Sequence, residues 1–347
     1  MGHSPSVVPA LRPTPLERGA LVRVISPSMP SMAFASLRAE RAKAVIEGLG
    51  LRCDFSRHCF EISDDGWSAG TARMRADDLH EAFADPEVGA VLCAAGGNTS
   101  DELIPYLDPE VFRSNPKPFI GRSDNVLLNA FLAAKAGVVS FNGTVFLSQF
   151  GEPEVLPETT ESFAAVLMTD DEIRYRVAPT RTVGGRDWRE MSRHDVQPRA
   201  RSREGHHVWL REGTGTGRLV GGEVELILRT IKQGLLDTTD AVFWWDTGRD
   251  GLDYTEERLR RIADAVDLRN LRGMMIGDNP WVDFGLWREF VEDFLRREVG
   301  DVDYPVFLGG DCGHYDPVWM LPYGDQVTLD SRSGLIYRPR PNTGEQR

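Results

Sequence analysis

Cysteine, positive charge and long apolar runs are all scarce in this chain of 347 residues. Its four cysteines, Cys53, Cys59, Cys93 and Cys312, form no CxxC pair, which speaks against a zinc ribbon and against a disulfide framework, so they read as reduced thiols. Lys and Arg number 40 against 53 Asp and Glu, a net charge of −13 that repels phosphate backbones and anionic membrane surfaces. Neither nucleic acid nor a membrane is expected as a partner; a small molecule or a peptide is. Residues 1–15 carry Pro and Ser but no apolar run of signal-peptide type, and nothing later approaches the length of a membrane span. The expectation is a soluble, cytoplasmic protein. No repeat or low-complexity tract is visible.

What is present is an alternation of short apolar runs with amphipathic stretches. Leu21–Ile25, Leu51–Phe55, Ala90–Ala94, Pro118–Ile120 and Val138–Phe141 read as strands. Ser36–Gly50, Ala72–Ala84, Ser100–Leu107 and Val126–Ala136 read as the helices between them. This is the order of a doubly wound α/β domain with a mostly parallel sheet, assigned to residues 1–152. From Gly151 to about Gly215 periodicity is weak, and residues 153–215 are assigned to a linker and a substrate-covering loop. Apolar runs return from Arg218 on, giving a C-terminal domain, 216–347, of mixed α/β type, swivelling or barrel-like.

Three short segments could carry chemistry. Ser123, in Phe119-Ile120-Gly121-Arg122-Ser123-Asp124-Asn125, sits where a strand ends and an apolar helix begins. A hydroxyl there lies near unpaired N–H groups and the positive end of the helix dipole, which favours a nucleophile. A helix-capping serine explains the same pattern, and Asn125 departs from the Gly-x-Ser-x-Gly elbow. The run Ala94-Ala95-Gly96-Gly97-Asn98-Thr99-Ser100 offers glycine N–H groups to an oxyanion, or is a capped turn; it lacks the Gly-x-Gly-x-x-Gly and Walker patterns. His314 lies in a glycine-rich turn after a strand, with Asp311 and Cys312 close by. A general base, a weakly supported metal cluster and a Cys312 nucleophile all remain open there. Asp246 ends the apolar run Ala241–Trp245, where burial makes its charge costly unless paired.

Taken jointly and in order, Asn115–Asp124, Gly96–Ser100 with Leu103–Leu107, and Asp311–His314 resemble the LD-carboxypeptidase family of serine peptidases, over about residues 20–335. The resemblance is closest to its microcin C immunity branch, to which Phe141-Asn142-Gly143 and Ser148–Glu152 are also similar. It implies a Ser-acid-His triad of Ser123, Asp246 and His314, with an oxyanion hole from the N–H groups of Gly97 and Asp124. Two departures stand out. The family's glutamate is Asp246 here, one methylene shorter, and its Gly-Gly-Asn is Gly221-Gly222-Glu223. The resemblance further implies substrate contacts from Gly96, Asn98, Glu223 and the loop tryptophan Trp188, no metal or organic cofactor, and a homodimer. Around Trp188 the arginines 181, 186, 189, 193, 199, 201 and 203 form either a solvated loop or a basic lid over an anionic substrate.

The expected activity is hydrolysis of an amide joining an aminoacyl group to a nucleotide analogue. Murein-peptide recycling is the alternative within the family, and a catalytically weak ligand-binding relative is the alternative outside catalysis.

Overall fold

The computed structural model describes residues 10–182, 197–248 and 250–339. Strands β1 (Leu21–Ile25), β2 (Arg52–Phe55), β3 (Val88–Cys93), β4 (Phe119–Gly121) and β5 (Ser140–Asn142) form a parallel sheet in the order β2-β1-β3-β4-β5. Val22, Val24, Ala90, Val91, Leu92, Phe119 and Ile120 are all buried, as strands covered by helices on both faces require. The helices are α1 (Ser36–Gly48), α2 (Ala72–Ala84), α3 (Pro109–Ser114) and α4 (Val126–Phe131). α2 shows why these segments fold locally: Thr71 Oγ1 caps it by accepting from the Met74 N–H, and Ala76, Leu79, Ala82 and Phe83 bury one face. Strand order reverses between β1 and β3, so the loops after these two strands part and leave a crevice at their carboxyl ends.

The second half contains β6 (Ile173–Arg174), β7 (Thr180–Arg181), β8 (Arg203–Glu204), β9 (Val208–Arg211), β10 (Thr214–Glu223), β11 (Ala241–Asp246), β12 (Gly273–Gly277), β13 (Val306–Gly310), β14 (Leu321–Tyr323), β15 (Gln326–Asp330) and β16 (Gly334–Tyr337). Eight of them order as β6-β16-β15-β10-β11-β12-β13-β9, an open sheet rather than a closed barrel. Its centre, β10 to β13, is parallel and its flanks are antiparallel. Helices α6 (Val224–Lys232), α7 (Leu252–Ala265) and α8 (Phe284–Phe294) connect the parallel strands. Trp245 on β11 packs edge-on against Trp287 of α8, centroids 5.8 Å apart. β14 leaves this half and pairs antiparallel with β5, so the chain's last third contributes a strand to each sheet.

The segment expected to be a linker departs most from expectation. Pro157–Leu167 is a helix, α5, with proline in its first turn and Thr159, Phe163, Val166 and Leu167 buried. Proline is favoured at that position, so a residue that reads as a loop signal opens a helix here. Val126–Ala136 is one apolar run, but only its first half is α-helical; Leu132–Ala136 is a π turn closed by Gly137. Phe163 is fully buried and meets Phe150 at 5.2 Å. Phe163→Ala should lower unfolding free energy by about 3–5 kcal/mol in urea melts; a loss under about 1 kcal/mol would show that α5 does not pack here as described.

Candidate active site

Ser123 follows β4 with φ +57°, a left-handed conformation that costs a residue with a Cβ about 1–2 kcal/mol and marks sharp strand-to-helix turns at reactive serines. The strain is held in place by Asn125, whose side-chain amide donates to Ala95 O and Arg122 O. Arg122, the residue before it, is buried and reaches across the cleft. Its guanidinium donates to Gly313 O and to Tyr315 O, the carbonyls flanking His314, and lies 3.7 Å from Asp316.

The imidazole thus held has both nitrogens engaged. Nδ1 is 2.8 Å from Asp246 Oδ1 and Nε2 is 3.0 Å from Ser123 Oγ. An ionised carboxylate only accepts, so Nδ1–H donates to Asp246 and Nε2 is left to accept from the serine hydroxyl. Asp246 is buried, and the same Oδ1 accepts the Gly248 N–H at 2.7 Å. The shorter acid therefore reaches the ring without difficulty. In the parallel register Glu223 of β10 stands opposite Asp246 of β11, which brings a second carboxylate to the ring: Glu223 Oε2 is 3.5 Å from Nε2.

Burial disfavours the imidazolium, yet the charge and hydrogen bond of Asp246 and the charge of Glu223 outweigh it and hold the His314 pKa above its ordinary value. Burial, reinforced by Asp246, Asp250 and Glu225 and opposed by His314, pushes Glu223 up to about 7.

The glycine loop after β3 is fixed by one hydroxyl. Ser28, buried in the loop after β1, accepts the N–H groups of Asn98 and Thr99 at 3.0 and 3.1 Å and donates to Asp124 Oδ2 at 2.6 Å. Gly97 has φ +154°, and a Cβ there would fall 2.1 Å from Ser28 Oγ, so only glycine fits. Among the described residues the Gly97 N–H has no hydrogen-bond partner. Asp124 also accepts from Ser100 N–H, and Arg229 of α6 grips Asp124, Asp101 and Asn98. Asn98, read from sequence as a substrate contact, is thereby tied to Arg229 while its residue stays exposed on the rim.

These groups line a cleft of about 690 Å³ that includes Gly96, Gly97, Asn98, Ser123, Glu223 and His314. Along its other wall runs a chain of ion pairs: Arg38 with Glu152, Glu152 with Arg199, Arg199 with Asp316. Trp67, 68% exposed, stands at the rim. Of these groups the sequence reading assigned no role to Arg122, Ser28, Trp67 or Asp316; only the Pro- and Ser-containing turn after β1 hinted at Ser28.

Trp188, Arg186, Arg189 and Arg193 lie outside the described residues. The describable arginines of that segment do not form a lid. Arg181 is fully buried between Asp311 and Asp278, Arg199 pairs with Asp316, and Arg201 pairs with Glu158, while Arg203 donates to Pro280 O and Val282 O. Asp311 is consumed by Arg181 and the Ala178 N–H, and burial drives the Cys312 thiol far above its usual pKa. Neither joins His314, and no group of three metal-binding side chains occurs among the described residues. No described helix is long and apolar enough to cross a membrane.

Two family models match the chain, one in each half. The LD-carboxypeptidase N-terminal domain matches residues 22–143, and the LD-carboxypeptidase C-terminal domain matches 216–329. The chain belongs to the LD-carboxypeptidase family. Relatives in this family include a putative carboxypeptidase of Streptomyces coelicolor, 36% identical over 95% of this chain and 97% of that one. A murein tetrapeptide carboxypeptidase of Pseudomonas aeruginosa is 35% identical over 87% of this chain and 91% of its own length. The microcin C7 self-immunity protein MccF of Escherichia coli is 24% identical over 91% and 92%. A solved structure of MccF in complex with aspartyl sulfamoyl adenosine superposes with a TM-score of 0.83, covering 95% of this chain and 99% of that one at 22% identity, so the LD-carboxypeptidase fold extends across both halves.

His314 should titrate above 6.5 when followed by NMR of its ring carbons. Removing either nearby carboxylate removes a charge that favours the imidazolium, so Glu223→Gln and Asp246→Asn should each move the midpoint down. A midpoint indifferent to both would contradict the arrangement.

Proposed function

We propose that this LD-carboxypeptidase relative hydrolyses an amide through an acyl-enzyme, with Ser123 as nucleophile, His314 as general base and then acid, and Asp246 holding the imidazole. The observation that carries the reading is the continuous relay from Asp246 Oδ1 to His314 Nδ1 at 2.8 Å and from Nε2 to Ser123 Oγ at 3.0 Å. Ser123 Oγ attacks the carbonyl carbon as its proton passes to Nε2. The oxyanion is received by the N–H groups of Gly97 and Asp124. Nε2 then gives the proton to the leaving nitrogen; in the second half water, deprotonated by His314 Nε2, attacks the acyl carbon, and the proton passes from Nε2 to Ser123 Oγ as the acyl–oxygen bond breaks and the acid leaves. Asp246 stays ionised throughout and stabilises the imidazolium.

For the substrate, the reading is an aminoacyl or peptidyl group joined to a nucleotide analogue. It is supported by the fold shared with MccF, which has been solved with aspartyl sulfamoyl adenosine, and by a cleft of about 690 Å³, large enough for such a molecule. Trp188 is assigned to stacking on the base. A second reading, removal of a terminal residue from murein peptides, is favoured by the identity to the Pseudomonas aeruginosa murein tetrapeptide carboxypeptidase.

A fluorophosphonate probe should label the wild type and not Ser123→Ala. Asp246→Asn should reduce kcat by about 10⁴-fold, since the imidazole would lose its tautomer. Absence of labelling in the wild type would leave a ligand-binding protein. Incubation with glutamyl-, alanyl- and lysyl-sulfamoyl adenosine and with a murein tetrapeptide, followed by mass spectrometry, separates the two substrate classes; cleavage of the tetrapeptide alone would remove the nucleotide reading.

A further inference from the structure

Among the described residues, the carboxylates of the cleft wall have arginine partners, except beside the histidine. Glu152 is met by Arg38 and Arg199, Asp316 by Arg199 and Arg122, and Asp250 by Arg258 at 3.5 Å. Among the described residues, Glu223 is the cleft carboxylate with no arginine or lysine partner; its one ionic neighbour is His314 Nε2. Among the described residues the nearby cations are committed elsewhere: Arg229 to Asp101 and Asp124, Arg258 to Glu225, and Arg122 to backbone carbonyls. The side chain packs directly against the Gly248 backbone, where a Cβ would fall 2.5 Å from Glu223 Cδ and Oε1. It ends β10, whose register with β11 sets it beside the acid that holds the imidazole.

We propose that Glu223 is a specificity-determining residue: with Asp250 behind it, it selects substrates whose acyl residue carries a basic side chain and rejects those whose acyl residue is acidic. This rests on the reading of Ser123 as the nucleophile, because that serine fixes where the acyl group lies. A carboxylate brought to this place meets Glu223 and Asp250, whose described cationic neighbours, His314 and Arg258, are already engaged, and like charges in a partly desolvated site repel. An ammonium there converts an uncompensated carboxylate into a charge-assisted pair. It also offsets the negative field that favours the imidazolium, so binding the matching substrate releases Nε2 to act as a base. Specificity therefore combines an attractive element with a repulsive one.

The test uses matched pairs that differ in acyl side-chain charge alone: lysyl- against glutamyl-sulfamoyl adenosine, and acetyl-Lys-D-Ala against acetyl-Glu-D-Ala. The pairs cover both leaving groups. A charge-assisted hydrogen bond is worth about 1.5–3 kcal/mol, so kcat/KM should favour the lysyl member by about ten- to a hundredfold in whichever series is cleaved. Glu223→Gln should bring the ratio close to one, and Asp250→Asn should reduce it partially. A ratio cancels any general loss of activity caused by the contact between Glu223 and His314. Calorimetric binding of the same pairs to Ser123→Ala separates the two claims. Turnover without charge preference, a glutamyl preference, or a ratio unmoved by Glu223→Gln overturns this inference and leaves the nucleophile standing. A lysyl preference in binding with no turnover by the wild type sustains the inference and overturns the nucleophile. Neither binding nor turnover of either pair overturns both.

Discussion

The site depends on one guanidinium. Ser123 follows a strand of the first sheet and His314 a strand of the second, so beyond the return of the chain to the first sheet at β14 their separation has to be fixed by side chains. Arg122 does so by donating to the carbonyls on either side of His314. The same loop is held from behind by Arg181, through Asp311, and by the backbone pairing of Thr182 with Asp316. Hydrogen bonds from a cation to otherwise unpaired buried carbonyls are among the stronger ones available, and they leave the acceptors stranded if broken. A relay with tolerances of a few tenths of an ångström needs this kind of bracing.

Both parallel blocks present their carboxyl ends to one cleft. Loops after β1, β3 and β4 bring Ser28, Gly97 and Ser123; the ends of β10, β11 and β13 bring Glu223, Asp246 and the His314 turn. Ligand sites form at such ends because the connecting loops diverge there. Two of them facing each other give a site in which Ser123 and His314 come from separate sheets. Small adjustments between the sheets would alter the relay directly, and Arg229, reaching from α6 to Asp101 and Asp124, adds a second brace against that.

The electrostatics separate structural from functional charge. Arg38, Glu152, Arg199 and Asp316 satisfy one another along one wall, whereas Asp246, Glu223 and His314 share two carboxylates and one base. Of that second group, His314 and Glu223 have pKa values raised above their ordinary ones. Glu223 places a carboxylate 3.5 Å from Nε2 of the ring, and the short side chain of Asp246 still reaches Nδ1 at 2.8 Å.

The sequence by itself determined the parallel α/β order and the family. Alternating periodicity marked β1 and α2 to the residue, and the ordered motifs around Gly97, Ser123 and His314 pointed to one family, within which the resemblance nominated Asp246 as a candidate acid. Local patterns carry this information because strand, helix and turn preferences act over a few residues. α5 escaped because its opening proline is a loop signal and a helix start alike, and β14 because a three-residue strand has no period to read. Tertiary structure alone decided the rest: the reach of Asp246, the bridging of Ser28 between three loops, the burial of Arg181, and the isolation of Glu223. Each depends on residues far apart in sequence, such as Arg122 and Gly313, meeting at hydrogen-bond distance; charge partners and reach are set by packing between sheets, which no local pattern encodes.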